Sequence, residues 1–558
     1  MTLFRRVFQL YRWPLTLVVL LSITSGLLSV GVIAFVNEQM INASDVGGVD
    51  LWQFCMLLVL MLALASGAQI CLTTLGHRFV YGLRREMVKR LLDTDVQTVE
   101  RLGHGKLFAS LSSDIRNITL AFVHLPEMIY GGVLALASFV YLAWLSFSIF
   151  LATAVWMLFT LAIGVLLLQR LRRHLALLRE AEDRLYKQYQ SILDGTKELT
   201  LNRDRAKHIY EGQFDASARS YRDHITLADR YHGLASNWAN IMVLGTIGLA
   251  FYLTKGLGWA DPAVAATYAL TILFMRTPLV GAVSAVPAQL AGNVALSKVE
   301  SLGLADTQLG FEVSGDLAKT WQTLELRDVV YRYPAENDDP GFDVGPLNVT
   351  LRRGETVFVI GGNGSGKSSL ARLLSGIYTP QSGGIFLDDQ GLTVADGPRY
   401  RRLFSAVFTD FHLFSQLIGP DGHKANTAPL HRWLDALQMR EKSRFADGHL
   451  LNTNVSQGQK KRLALLLGLL EERDILLLDE WAADQDPLYR RVFYRELLPT
   501  LKQMGITIVV ISHDDRYFDV ADRLLKMDGG QLTELVDHQR ARAGRDALGE
   551  IDGTQHHL

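Results

Sequence analysis

Apolar residues come in long unbroken blocks through the first three hundred positions, and in short runs after that. A helix needs about 20 mostly apolar residues to cross a hydrocarbon core roughly 30 Å thick. Five stretches with few or no charges meet that length: 13–36, 51–76, 128–168, 233–254 and 262–286. The third is double length and must fold back on itself, most naturally at Ser146-Phe147-Ser148, which brings the spans to six. Beyond about residue 301 the apolar runs shorten to strand length, as at 356–360 and 475–478, between charged helix-like stretches. The pattern predicts an all-α membrane domain of six helices over 1–305 and a soluble α/β domain over 306–537. A polar tail over 538–558 completes the chain.

The distribution of Lys and Arg sets an orientation. Segment 37–50 has neither, but carries Glu38, Asp45 and Asp50, so it is expected outside. Segments 77–123 and 169–231 are rich in both and are expected inside, while 255–261 is short, nearly neutral and suits the outside. Both termini then face the cytoplasm, as for a multi-pass protein of a bacterial inner (cytoplasmic) membrane. The two inner segments are longer than turns require and read as helix, for example LRREAEDRLYKQYQSILDG. The spans are therefore expected to continue beyond the bilayer and fold back in pairs, with elbows near 110–114 and 212–216 serving as contacts for the α/β domain. Arg5, Arg6 and Arg12 precede an apolar run longer than a signal h-region and without a small-residue cleavage pattern, which reads as the first span.

Composition agrees with a divided chain: 49% hydrophobic residues is high for a soluble enzyme, and 20% charged is high for a chain lying wholly in lipid. A net charge of −1 gives no general attraction to nucleic acid. Cys55 and Cys71 share one apolar stretch and supply neither a disulfide framework nor a Cys-based metal site.

The chemistry lies in the second half. Gly361-Gly362-Asn363-Gly364-Ser365-Gly366-Lys367-Ser368 follows an apolar strand and opens a helix through Ser369. This is the phosphate-loop pattern: glycines let backbone amides curl around a phosphate, and the helix N-terminus adds a positive dipole end. Lys367 is expected to reach the β- and γ-phosphates of ATP, and the Ser368 hydroxyl to ligate Mg²⁺. Further on, ILLLDE ends a buried strand in Asp479, expected to hold Mg²⁺ through water, and Glu480, expected to orient or deprotonate the attacking water. Between them Val455-Ser456-Gln457-Gly458-Gln459 opens a helix beginning Lys460-Lys461-Arg462, and a Ser hydroxyl with backbone amides there makes an anion site.

These segments resemble, in order, the motifs of ABC transporters. VSQGQ is similar to the family's LSGGQ signature, with Ser456 and Gly458 matching and Val455 and Gln457 departing. The resemblance implies that Ser456, Gln457, Gly458 and Gln459 bind the γ-phosphate of a nucleotide held by the opposite subunit. It also implies that adenine stacks on Tyr333, that Asp486 makes the subunit contact, and that His513 touches the γ-phosphate. Thr409, in FSAVFTDFHLF, stands where related ATPases carry a Mg²⁺-ligating Gln. Its hydroxyl could ligate Mg²⁺ directly, through water, or not at all, with Asp410 adjacent.

The likeness extends over essentially the whole chain, to ABC exporters whose subunits each carry one membrane and one P-loop ATPase domain. It implies a homodimer with two shared ATP sites in a lipid bilayer. A narrower resemblance comes from LLGLLEERDILLLDEWAADQDP, ISHDDRYFDVADR and DGTKELTLNRDR. These are similar to cyclic-peptide exporters, the group that includes pyoverdine-type siderophore-precursor and syringomycin-type lipopeptide exporters. Arg276, mid-span beside Pro278, could meet an acidic peptide or a siderophore carboxylate, or could pair with a neighbouring helix or snorkel. Asn237, Asn240 and Gln69 suit interhelical hydrogen bonds. A lipid or multidrug flippase would use the same engine. A non-transporting ATP-dependent sensor would be expected to have lost Glu480, and a soluble DNA-repair-type ATPase would lack the spans.

Overall fold

The computed structural model describes residues 3–41, 48–306, 311, 321–333, 341–420 and 422–536. The expected polar tail, 538–558, lies outside the described residues. The chain divides into two compact units, Met1–Lys89 with Leu102–Gly303, and Arg90–Arg101 with Leu304–Leu558.

The first unit is helical. Among the described residues six helices are long and apolar enough to span a membrane: Val7–Ile41, Leu51–Asp93, His104–Leu145, Phe147–Asp194, Arg203–Gly256 and Pro262–Glu300. The double-length stretch turns at the expected place. Ser146 alone is extended (φ −160°, ψ 104°) between helices Ile115–Leu145 and Phe147–Asp194. The fully buried Tyr268 braces this turn, its hydroxyl 2.7 Å from the Leu142 carbonyl oxygen and 2.9 Å from that of Ser146. Those carbonyls also accept backbone bonds, from the Ser146 N–H at 3.2 Å and the Phe150 N–H at 2.9 Å, so Tyr268 adds a second bond to each.

The elbows differ from expectation. Ser110–Asp114 and Ile209–Phe214 are single wide π turns inside running helices. The chain actually bends earlier, around the short helices Val96–Leu102 and Thr196–Leu201. Gly103, at φ +77°, ends the first bend. Extended Asn202 ends the second, its side chain accepting from the Arg205 N–H at 2.9 Å. A bend needs a residue outside helical geometry and a cap for the next helix. Gly212 and the serines of 110–113 supply neither, since small polar residues can ride within a helix.

The second unit is built on twelve strands among the described residues: β1 Thr323–Arg332, β2 Asp343–Arg352, β3 Thr356–Ile360, β4 Ser382–Leu387, β5 Gln390–Gly391, β6 Phe404–Val407, β7 Phe445–Ala446, β8 His449–Leu450, β9 Ile475–Asp479, β10 Thr507–Ile511, β11 Arg523–Asp528 and β12 Gln531–Glu534. An antiparallel sheet runs β2-β1-β4-β5, and a six-stranded sheet runs β12-β11-β3-β10-β9-β6, parallel except at the β12 edge. Every residue of β9 and β10 is buried, as expected of parallel strands covered on both faces. Their side chains alternate between two cores. Phe358, Leu476, Leu478, Ile508 and Val510 pack on the helical side, while Val357, Val359, Leu477, Val509 and Ile511 pack toward β1 and β2. This two-sided packing fixes the register of the parallel strands, and so fixes which residues emerge at their carboxyl ends.

Candidate nucleotide site

In an open parallel sheet, ligands bind beyond the carboxyl ends of the strands. Here β3 leads into Gly361, β6 into Thr409, β9 ends on Asp479 followed by Glu480, and β10 leads to Ser512 and His513. Register forces their convergence: Ile511 pairs with Asp479 and with Val359.

Gly361 sits at φ +148°, where a Cβ would run into the carbonyl oxygen of Met527, so only glycine fits. The loop closes on the helix Lys367–Leu374, with Asn363 and Gly364 exposed at the rim and Ser365, Lys367 and Ser369 buried. Lys367 Nζ donates to the carbonyl oxygens of Gly361 (2.9 Å) and Gly362 (2.8 Å), which curls the loop around its own ammonium. Burial lowers the Lys367 pKa, and the nearby Glu480 and Asp479 carboxylates oppose that shift. The Ser365 hydroxyl is buried without a hydrogen-bond partner, an opening for a ligand oxygen.

Asp479 is buried, and burial raises its pKa against hydrogen bonds from the Ser368 and Thr409 side chains. Ser368, Asp479 and Thr409 therefore meet. Asp479 Oδ1 has no partner. Two hydroxyls and a buried carboxylate with an unsatisfied oxygen form a hard donor set that fits Mg²⁺. Among the described residues no group of three His, Cys, Asp or Glu side chains could hold a metal, so the remaining ligands would have to be phosphate oxygens and water.

Glu480 is left-handed (φ +50°, ψ 34°), a conformation that costs a non-glycine residue about 1–2 kcal/mol. Its Oε1 lies 3.2 Å from His513 Nε2, so these two expected catalytic side chains form a pair at the strand ends. Behind His513, the Tyr494 hydroxyl lies 2.7 Å from Ser512 Oγ and 3.2 Å from Asp514 Oδ2. Tyr333 reaches the same region from the end of β1. Its hydroxyl lies 2.8 Å from Ser369 Oγ, and its ring packs edge-on against Tyr331 at 4.9 Å.

The signature segment makes its hydrogen bonds elsewhere. Ser456 caps the helix Gln457–Leu470: its hydroxyl accepts from the Gln459 N–H at 3.4 Å, and the Gln459 side chain accepts from the Ser456 N–H at 3.2 Å. This reciprocal box leaves the Ser456 hydroxyl proton able to point outward. Gln485 Nε2 donates to the Gly458 carbonyl at 3.0 Å. Asp486 caps the helix Pro487–Val492 through the Tyr489 N–H at 2.9 Å and accepts from Arg462 Nη2 at 2.9 Å. The cap bond and the Arg462 charge hold its pKa below the usual carboxylate range.

Sequence reasoning passed over Lys461, Arg462, Trp481, Asp484 and Gln485 as functional residues. They tie the signature helix to the residues after β9, through bonds such as Arg462 Nε to Gln485 Oε1 at 2.8 Å. The one available signal was a Lys-Lys-Arg run set against an Asp-Gln-Asp run. In the membrane unit, Arg276 donates to the Asn240 side chain on the neighbouring span, the helix-pairing alternative, and remains exposed.

The ABC transporter family profile matches residues 344–483, and that of the ABC transporter transmembrane region matches 14–255. The ATP-binding protein SyrD of Pseudomonas syringae pv. syringae is 31% identical over 546 residues, covering 96% of each chain. An ATP-dependent lipid A-core flippase of Thiobacillus denitrificans is 26% identical over 508 residues, covering 86% of this chain and 84% of the flippase. A toxin RTX-I translocation ATP-binding protein of Actinobacillus pleuropneumoniae is 26% identical over 260 residues, 44% of this chain and 34% of that one.

Proposed function

The chain belongs to the ABC transporter family, with a membrane region and an ATPase region on one polypeptide, and on that premise we propose that it is a homodimeric exporter of a peptide. The cargo would be a cyclic peptide or siderophore precursor crossing a bacterial inner membrane. The observation that carries this reading is the 31% identity with SyrD across both regions.

In the proposed cycle, ATP lies between 361–369 of one chain and Ser456 of the partner subunit, with Tyr333 against adenine. Lys367 exchanges its bonds to Gly361 and Gly362 for β- and γ-phosphate oxygens. Ser368, Asp479 and Thr409 would hold Mg²⁺, which when bound neutralises phosphate charge. His513 turns from Glu480 to the γ-phosphate, leaving the Glu480 carboxylate to orient a water and accept its proton. The water oxygen bonds to the γ-phosphorus, the bond to the bridging oxygen breaks, and ADP and phosphate leave. ATP closes the dimer and hydrolysis reopens it, so the membrane cavity faces alternate sides. Arg276, exposed although bonded to Asn240, is the proposed contact for a cargo carboxylate.

A lipid-flippase reading draws on the 86% of this chain aligned with the lipid A-core flippase. The two are separated by measuring ATPase activity in lipid nanodiscs while titrating cyclic and acylated peptides, with Glu480→Gln as blank. Saturable stimulation by one peptide class supports peptide export. Turnover that ignores every peptide but responds to added lipid A-type glycolipid transfers the assignment to the flippase.

A further inference from the structure

Glu480 occupies its strained conformation because both of its backbone groups are held. Its N–H donates to the Ile511 carbonyl of β10 at 3.1 Å. Its carbonyl accepts from Lys461 Nζ at 2.7 Å. Left-handed backbone at a non-glycine residue persists only where the surroundings over-determine it, and from outside the sheet Lys461 supplies the shorter of two bonds to that carbonyl, the other coming from the Ala483 N–H at 3.4 Å. Its side chain is 3% exposed, an unusual place for an ammonium, and the charge is met by Asp484 Oδ2 at 2.7 Å. A second bond crosses the same seam in the opposite sense: the buried Trp481 donates from Nε1 to the Lys461 carbonyl at 2.7 Å. Residue 461 and residues 480–481 are therefore clamped from both sides. The clamp starts at the fifth residue of the helix that Ser456 caps.

We propose that Lys461 is a positioning residue for hydrolysis, fixing the Glu480 backbone so that its carboxylate points at the site of the attacking water. This rests on the reading of Glu480 as the group that handles that water. Asp484 and Trp481 serve the clamp, Asp484 by neutralising the ammonium and Trp481 by anchoring the helix backbone. Because Lys461 belongs to the signature helix, a shift of that helix when nucleotide held by the partner subunit engages Ser456 reaches the catalytic carboxylate of the same chain directly. The engaged and disengaged states of the signature would then differ in how well Glu480 is aimed.

The test is a double-mutant cycle on the full chain in nanodiscs, with ATPase kcat and KM read together with melting temperature. Lys461→Met keeps the buried stem and removes every donor. It is expected to lower kcat about 10–100-fold, the scale of a small misplacement of a catalytic group, with KM for ATP within about 3-fold. In a Glu480→Gln background the same substitution is expected to change the residual rate by less than about 2-fold, because it acts through the missing carboxylate. Equal factors in the two backgrounds, or a raised KM with normal kcat, overturn the proposal. Should Lys461→Met lose its fold, the cycle is run with Lys461→Gln, which cannot span both Glu480 and Asp484. A smaller kcat loss of about 3–10-fold with the same non-additivity is then expected, and full turnover by this variant also overturns the proposal. Unchanged hydrolysis by Glu480→Gln alone would instead remove Glu480 as the base, a different failure with its own signature.

Discussion

Tyr333 is held by its edge, with its hydroxyl 2.8 Å from Ser369 Oγ and the Tyr331 ring at right angles to it. An aromatic ring pinned this way next to the phosphate loop loses little freedom when a base stacks on it. Tyr333→Ala is expected to weaken ATP binding by about 1–3 kcal/mol, the range for base–aromatic stacking. Tyr333→Phe, which loses only the Ser369 contact, should retain most of the affinity in the same nucleotide titration. An Ala variant that binds ATP normally would take adenine away from this ring. At this scale the site was legible wherever function constrains the backbone itself. Gly361 must be glycine, and the strand ending in Asp479 and Glu480 must be apolar up to the acids. Lys461 was not legible, since a lysine near the start of a helix ordinarily faces water. Its burial depends on Trp481 and Asp484, about twenty positions along the chain.

Among the elements, the segment around the first bend stands out because Arg90–Arg101 packs with the ATPase unit. Arg90 donates to the carbonyls of Leu304 (2.8 Å) and Ala305 (2.9 Å), and Glu100 accepts from the Tyr378 hydroxyl at 2.6 Å. Tyr378 in turn accepts from Arg372 Nη1 at 2.9 Å, and Arg372 Nη2 lies 3.3 Å from Asp410, the neighbour of Thr409. This chain of contacts leads from the bend to the neighbour of Thr409, one of the residues proposed to hold Mg²⁺. Glu100→Gln should therefore leave basal ATPase within about 2-fold but cut its stimulation by cargo several-fold, read in one nanodisc titration. The bend was misplaced from sequence because helix-compatible serines and glycines look like breakers. Gly103 and Asn202 give themselves away only through their dihedrals. The helix Pro487–Val492 yields a pH test. The folded Asp486 pKa is depressed by its cap bond and by Arg462, so its stabilisation is complete above the ordinary carboxylate range. It fades as pH falls through the depressed value. Asp486→Asn should flatten the acid limb of melting temperature against pH, while an unchanged limb would assign that loss to other groups.

For the molecule as a whole, the proposed shared ATP site ties hydrolysis to dimer geometry. Glu480→Gln should bind ATP, turn it over only at a small residual rate and accumulate a closed dimer, seen as ATP-dependent cross-linking of cysteines placed at Asn363 and Gln457. Cross-linking that ignores ATP would separate nucleotide binding from closure. The six-span count and the α/β half could be read from block lengths alone, because lipid and a two-faced parallel sheet each impose their own run length. Cargo leaves no such imprint. Arg276 is a single charge, and its bond to Asn240 would look the same in a chain that moves lipid.

The one-residue turn at Ser146 has a mechanical side. Helices joined by a single extended residue and braced there by Tyr268 behave as a lever with its fulcrum at one end. The 48-residue helix Phe147–Asp194 is roughly 70 Å long at a rise of about 1.5 Å per residue. A tilt of about 5° at the fulcrum then sweeps its far tip through roughly 6 Å, slightly more than one helical pitch. Small angular strain near the turn is thus geared up into a displacement large enough to re-register whatever the tip presses against.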